Sequence, residues 1–128
     1  ERKLVTVASV LAMGTPVIIL DEPTIAQDQV GVRQLGAIVD RLARAGRTVI
    51  TITHDMEFVA RHFQRVLVFQ DGRVLADDTA EAIFAQPELL AAAGLQAPPI
   101  PRLGQALGLP ATVLTVEAFV EAVRAGEG

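Results

Sequence analysis

At 128 residues the chain is long enough to bury a core in one domain, and its 51% apolar content, mostly Ala, Val, Leu and Ile, belongs to a globular α/β protein rather than a disordered one. A net charge of -4 with no Tyr or Trp argues against phosphate-backbone attraction and base stacking, so no nucleic-acid partner is expected. The absence of Cys excludes disulfides, thiolate zinc sites and cysteine nucleophiles, and is compatible with a reducing cytosol.

The chain starts Glu1-Arg2-Lys3, without an initiator Met or a signal-peptide pattern, and reads as the cut end of a longer protein. No segment reaches the roughly 20 apolar residues that cross a bilayer. Leu4, Val7, Ala8, Leu11 and Ala12 recur at helical spacing and predict a helix over 2–13, stopped by Gly14 and Pro16. Val17-Ile18-Ile19-Leu20 then reads as a strand buried on both faces, with Asp21-Glu22 at its exit and Pro23 ending it. Val32, Leu35, Gly36, Ile38, Val39, Leu42 and Ala43 mark an amphipathic helix that closes at Ala45-Gly46. The β-branched run 48–53 predicts a second strand, and strand, helix and strand together make a βαβ unit with parallel strands.

A short helix is expected next, over 56–63. Residues 65–70 and 73–76 then flank Asp71-Gly72, a strong hairpin signal. Two short helices are expected near 80–84 and 87–93. Residues 96–101, Gln-Ala-Pro-Pro-Ile-Pro, read as a stiff polyproline-like linker to two last helices at 102–107 and 116–124. The domain reading is therefore 1–95, with 96–128 as linker and helical appendage.

Asp21-Glu22 and His54 close neighbouring parallel strands, and Asp28 lies a few residues after the first pair. Strands lie about 5 Å apart, so Glu22 and His54 can flank one small-molecule site at the carboxyl edge of the sheet, where ligands bind in open α/β folds. An aspartate at a strand end suits a hard cation such as Mg²⁺ held through water. A glutamate beside it can orient or deprotonate an attacking water, and a histidine can hydrogen-bond a phosphate oxygen. The set suits nucleoside triphosphate hydrolysis, which is mostly positioning and charge stabilisation.

These residues resemble a known family. Ile18-Ile19-Leu20-Asp21-Glu22-Pro23-Thr24 looks like the Walker B motif of the ATP-binding-cassette (ABC) ATPases, and Thr53-His54-Asp55 resembles their switch-histidine loop at the usual distance downstream. Glu1-Arg2-Lys3, with Val5 and Ala8, resembles the segment just after the family's signature glycines, and Asp28 matches the D-loop aspartate. Asp55-Met56-Glu57-Phe58-Val59-Ala60, Arg65-Val66-Leu67-Val68, Asp71-Gly72-Arg73-Val74, Pro98-Pro99-Ile100-Pro101-Arg102-Leu103 and Leu114-Thr115-Val116-Glu117 are similar to the energy-coupling-factor and cobalt-type importer ATPases.

The resemblance implies a partial P-loop NTPase fold, with parallel strands flanked by helices, an edge β-hairpin and a small helical C-terminal appendage. It implies ATP and Mg²⁺ as cofactors, with Asp21 serving the metal through water, Glu22 polarising the attacking water and His54 contacting the γ-phosphate. Asp28 and Glu1 would serve a nucleotide shared with a second ATPase subunit, identical or not. An integral membrane subunit would be driven from the cytoplasmic face of the membrane, for uptake of a vitamin or a transition-metal ion. The chain departs from the pattern at Ala26 and Gln27, where Gly and Leu are usual, and at Leu4, where a basic residue is common. No G-x-x-x-x-G-K-[ST] occurs, so no loop cradles the β- and γ-phosphates, and residues 1–128 alone are expected to be inactive.

The other candidates have plainer readings. His62 reads as an exposed helix residue, and Arg33, Asp40, Arg41 and Arg44 as a solvated helix face. Asp77-Asp78-Thr79 reads as a strand end and helix N-cap rather than a metal site. Two alternatives compete with the importer ATPase. One is an assembly module in which the appendage holds two ATPase subunits together; the other is a soluble ATPase of DNA repair, disfavoured by the acidic balance and the lack of heptads.

Overall fold

The computed structural model describes residues 9, 12, 14–110 and 112–126. Of the expected helix over 2–13, Ser9 and Ala12 are described and both are helical; its other residues, and Glu1, lie outside the described residues. The chain divides into two compact units, one ending at Asp55 and the other starting at Met56.

The first unit is built on a parallel strand pair, β1 (Val17–Asp21) and β2 (Thr48–Ile52), connected through helix α1 (Gln29–Arg44). The register runs from Val17 opposite Thr48 to Asp21 opposite Ile52, so both strands end together at their carboxyl edge. Helix α1 forms where the sequence spacing predicts. Asp28 caps it by accepting a hydrogen bond from Gly31 N–H at 2.7 Å, and Arg41 and Arg44 sit in the last turn, where the helix dipole favours cations. Its apolar stripe packs on β2, and Leu35 and Val39 are buried together with Ile18 and Leu20 of β1.

β1 is not buried on both faces, as the apolar run suggests. Its burial alternates: Ile18 and Leu20 lie inside, while Val17 and Ile19 face solvent, Ile19 at 62% exposure. Helix α1 covers one side of the pair, and Val17, Ile19, Ile50 and Ile52 are exposed.

The second unit starts with α2 (Met56–His62), followed by an antiparallel hairpin of β3 (Arg65–Gln70) and β4 (Arg73–Thr79). Both turn residues have positive φ, Asp71 at 48° and Gly72 at 74°, the geometry that a two-residue hairpin turn requires. Helices α3 (Ala80–Phe84) and α4 (Pro87–Ala92) pack beside it, around a core of Val59, Ala60, Val68, Ala80, Ile83, Phe84, Leu90 and Ala97. Thr79 caps α3, as expected, by accepting from Ala82 N–H. Asp77 and Asp78 belong to β4, which runs three residues further than predicted, and Arg65 grips Asp77 through two hydrogen bonds of 2.8 and 2.7 Å. That pairing holds the Asp77 carboxyl below its ordinary pKa. His62 is half-buried rather than exposed, its ring 4.9 Å from that of Phe58 one turn earlier.

The last two helices are α5 (Pro99–Ala106) and α6 (Val116–Gly126). Pro99 and Pro101 are not part of an extended linker but lie in the first turn of α5. Proline is tolerated there because the first N–H groups of a helix have no intrahelical acceptor.

Candidate active site

The common end of β1 and β2 creates the site. Parallel pairing in register brings Asp21, the last residue of β1, opposite Ile52, so the residues just beyond each strand emerge side by side. The chain leaves β1 through Glu22, whose N–H still donates to Ile52 O at 2.8 Å, as if to continue the ladder. Its φ of 42° then turns the backbone into the left-handed region, rare outside glycine, and Pro23 prevents further strand. Turn hydrogen bonds from Ile25 N–H to Glu22 O and from Gln27 N–H to Thr24 O fold the next residues back toward α1. Ala26 in this turn also has positive φ, 59°, so the position where the family pattern carries Gly is one whose geometry favours it.

The Glu22 carboxylate is met by two residues of the loop after β2. His54 Nδ1 lies 2.9 Å from Oε1, and Thr53 Oγ1 donates to Oε2 at 3.2 Å. An ionised carboxylate can only accept, so the imidazole carries its proton on Nδ1 in this pairing. Thr53 Oγ1 also accepts from Asp55 N–H at 3.1 Å, which fixes the loop around it. The hydrogen bond from His54 is the main reason that the Glu22 carboxyl lies below its ordinary pKa; partial burial opposes it, while the His54 charge and the Thr53 hydroxyl add to it. The group is therefore a carboxylate at neutral pH. The His54 side chain is 70% exposed and that of Glu22 32%, so the pair is accessible to a ligand.

Of the residues singled out in the sequence, Glu22 and His54 are in direct contact, and Asp21 shares their strand edge, exposed to solvent. Among the described residues, no three His, Asp or Glu groups gather into a cation cage. A lone exposed carboxylate is a donor set that fits Mg²⁺, which keeps most of its waters, and not a dehydrated structural metal. Asp28 is not at the Glu22–His54 contact. It spends Oδ1 on the α1 cap, and Oδ2 has no protein partner among the described residues. The sequence alone assigns Thr53 no role, because a hydroxyl at the end of a β-branched run reads as one more strand residue.

No family model matches the chain. It is 37% identical over 126 residues to a putative ABC transporter ATP-binding protein of Streptococcus pneumoniae serotype 4, covering 98% of this chain and 22% of that protein. It is 43% identical over 108 residues to the energy-coupling factor transporter ATP-binding protein EcfA of Methanoculleus marisnigri, covering 84% of this chain and 39% of the relative. Among solved structures, cbiO1 from Clostridium perfringens, part of the ABC transporter complex cbiONQ, superposes with a TM-score of 0.57 and 33% identity over 80% of this chain and 40% of that one. The chain spans about a fifth of the length of the first curated relatives it matches. Its homologues are thus ABC transporter ATP-binding proteins, energy-coupling-factor ATPases among them, and the chain carries a stretch of the ATPase fold they share.

Proposed function

We propose that this chain supplies the water-activating edge of an ATP-hydrolysing site, in the ATP-binding subunit of an ABC importer of the energy-coupling-factor type. The observation that carries the reading is the Glu22 carboxylate, ionised, accessible and held between His54 and Thr53 at the carboxyl edge of a parallel strand pair. Glu22 accepts a proton of the attacking water and aligns its oxygen. His54 is the phosphate-facing group: its ring reaches Glu22 through Nδ1, and on leaving that contact it offers an N–H to a phosphate oxygen. Asp21 would hold Mg²⁺ through water, the metal supplying charge neutralisation at the phosphates. The phosphates need a loop that this sequence does not contain, so the chain's own residues act on the water and the terminal phosphate only.

Asp28 and Glu1 would serve a nucleotide shared with a second ATPase subunit, Asp28 through Oδ2, the oxygen left over from helix capping. The driven partner is an integral membrane subunit reached from the cytoplasmic face, and the cargo a vitamin or a transition-metal ion such as cobalt. No helix of the described residues is long and apolar enough to cross a membrane. Glu22→Gln in the ATPase subunit that carries this stretch tests the reading. Binding of ATP should be retained while turnover falls at least roughly a hundredfold, the usual scale for losing a general base. Turnover at the wild-type rate would overturn the role of Glu22.

A further inference from the structure

We propose that Thr53 is a positioning residue for Glu22, its hydroxyl fixing the direction of the carboxylate through one hydrogen bond given and one received. The inference rests on the reading of Glu22 as the carboxylate that polarises the attacking water. A threonine hydroxyl has one proton and two lone pairs. Asp55 N–H donates into Oγ1 at 3.1 Å, and the proton goes to Glu22 Oε2 at 3.2 Å. Branching at Cβ makes the Thr53 side chain stiff, so its hydroxyl is held where the backbone puts it.

That backbone is tied to Glu22 as well. Ile52 O accepts the Glu22 N–H at 2.8 Å, so consecutive residues of one strand end hold Glu22 by its main chain and by one carboxylate oxygen. His54 holds the other oxygen. The two side-chain contacts differ in what becomes of them. When His54 turns toward a phosphate it releases Oε1, freeing that oxygen for the water, while Thr53 keeps its hold on Oε2. Thr53 is therefore the side-chain contact that maintains the aim of Glu22 in the step where the His54 ring is engaged elsewhere, alongside the hydrogen bond from the His54 main chain.

The test compares Thr53→Val, Thr53→Ser and Glu22→Gln in the ATPase subunit that carries this stretch. Thr53→Val keeps the branched shape and loses both hydrogen bonds; kcat should fall about tenfold, the scale of a small misplacement of a catalytic group, with KM for ATP within about twofold. Thr53→Ser keeps the hydroxyl and should restore kcat to within about twofold of wild type, and adding Thr53→Val to Glu22→Gln should cost nothing more, as for groups that act as a unit. If Thr53→Val does not fold, Thr53→Ala against Thr53→Ser carries the same comparison. Wild-type kcat in Thr53→Val with Glu22→Gln inactive would overturn the inference alone. Thr53→Ser as impaired as Thr53→Val would assign the effect to packing and also overturn it. Turnover in Glu22→Gln would instead overturn the reading beneath it.

Discussion

Glu22 joins a left-handed backbone to a doubly engaged carboxylate, and neither feature is a preference of glutamate. Its φ of 42° is maintained by the hydrogen bond to Ile52 O and by the turn that Ile25 N–H closes on Glu22 O. Unusual backbone at a residue held by its surroundings is what a preorganised site requires. The His54 contact has a measurable electrostatic consequence. In His54→Ala the Glu22 carboxyl loses the partner that most lowers its pKa, so its titration midpoint, followed by side-chain carboxyl carbon NMR, should move up toward the ordinary glutamate value. An unmoved midpoint would show that the pair does not persist in solution. The sign also fixes the pH window. With the folded pKa below the unfolded one, the stability that the pair adds is present at neutral pH and is lost as pH falls through the folded value; on so accessible a pair that share is small. Which acids stand at the strand end was legible in the sequence, since an apolar run cannot bury two carboxylates. The turn of the main chain at Glu22 and the hydroxyl of Thr53 were not, because both depend on what the neighbouring strand brings alongside.

Among the elements, the strand pair came from an apolar run and a β-branched run, α1 from periodicity, the hairpin from Asp71-Gly72 and the cap of α3 from Thr79. The proline-rich stretch misled for a reason specific to helix ends. Three prolines in four residues look extended, yet Pro99 and Pro101 fit a first turn, where no N–H is needed. The strand run misled differently, since four apolar residues do not reveal how many faces a neighbour covers. The appendage has one close contact that the sequence also hides. Gly104, in α5, is buried, and a Cβ placed there would come within 2.9 Å of Val113 Cγ2, with Leu109 Cδ1 at 3.5 Å. Valine is stiff about χ1 and gives way poorly. Gly104→Ala gains about 1 kcal/mol in helix propensity but meets an overpacking cost of about 1–3 kcal/mol, for a net loss of about 1 kcal/mol. A denaturant titration checks this; a raised midpoint would show that Val113 yields.

Taken as a whole, the molecule exposes more apolar sheet than a solvated surface normally does. Parallel sheets are ordinarily covered on both faces, and here one face of the β1–β2 pair carries Val17, Ile19, Ile50 and Ile52 in the open. In its own unit, the β3–β4 hairpin likewise exposes Leu67, Phe69 and Val74. A net charge of -4 gives only modest repulsion against the association that such patches promote. Residues 1–128 alone should therefore bind a hydrophobic dye such as anilinonaphthalene sulfonate and self-associate at micromolar concentration. Ile19 and Ile50 are direct cross-strand partners, exposed by 62% and 46%, and neither contributes to the buried core. The pair Ile19→Lys with Ile50→Glu puts opposite charges at adjacent positions, which a sheet accommodates favourably. The double variant should keep the wild-type far-ultraviolet circular dichroism, bind markedly less dye and sediment at a lower mean mass. Dye binding and mass that do not change would move the adhesive surface away from this face, and a lost dichroism signal would show that the two isoleucines hold the strand pair together.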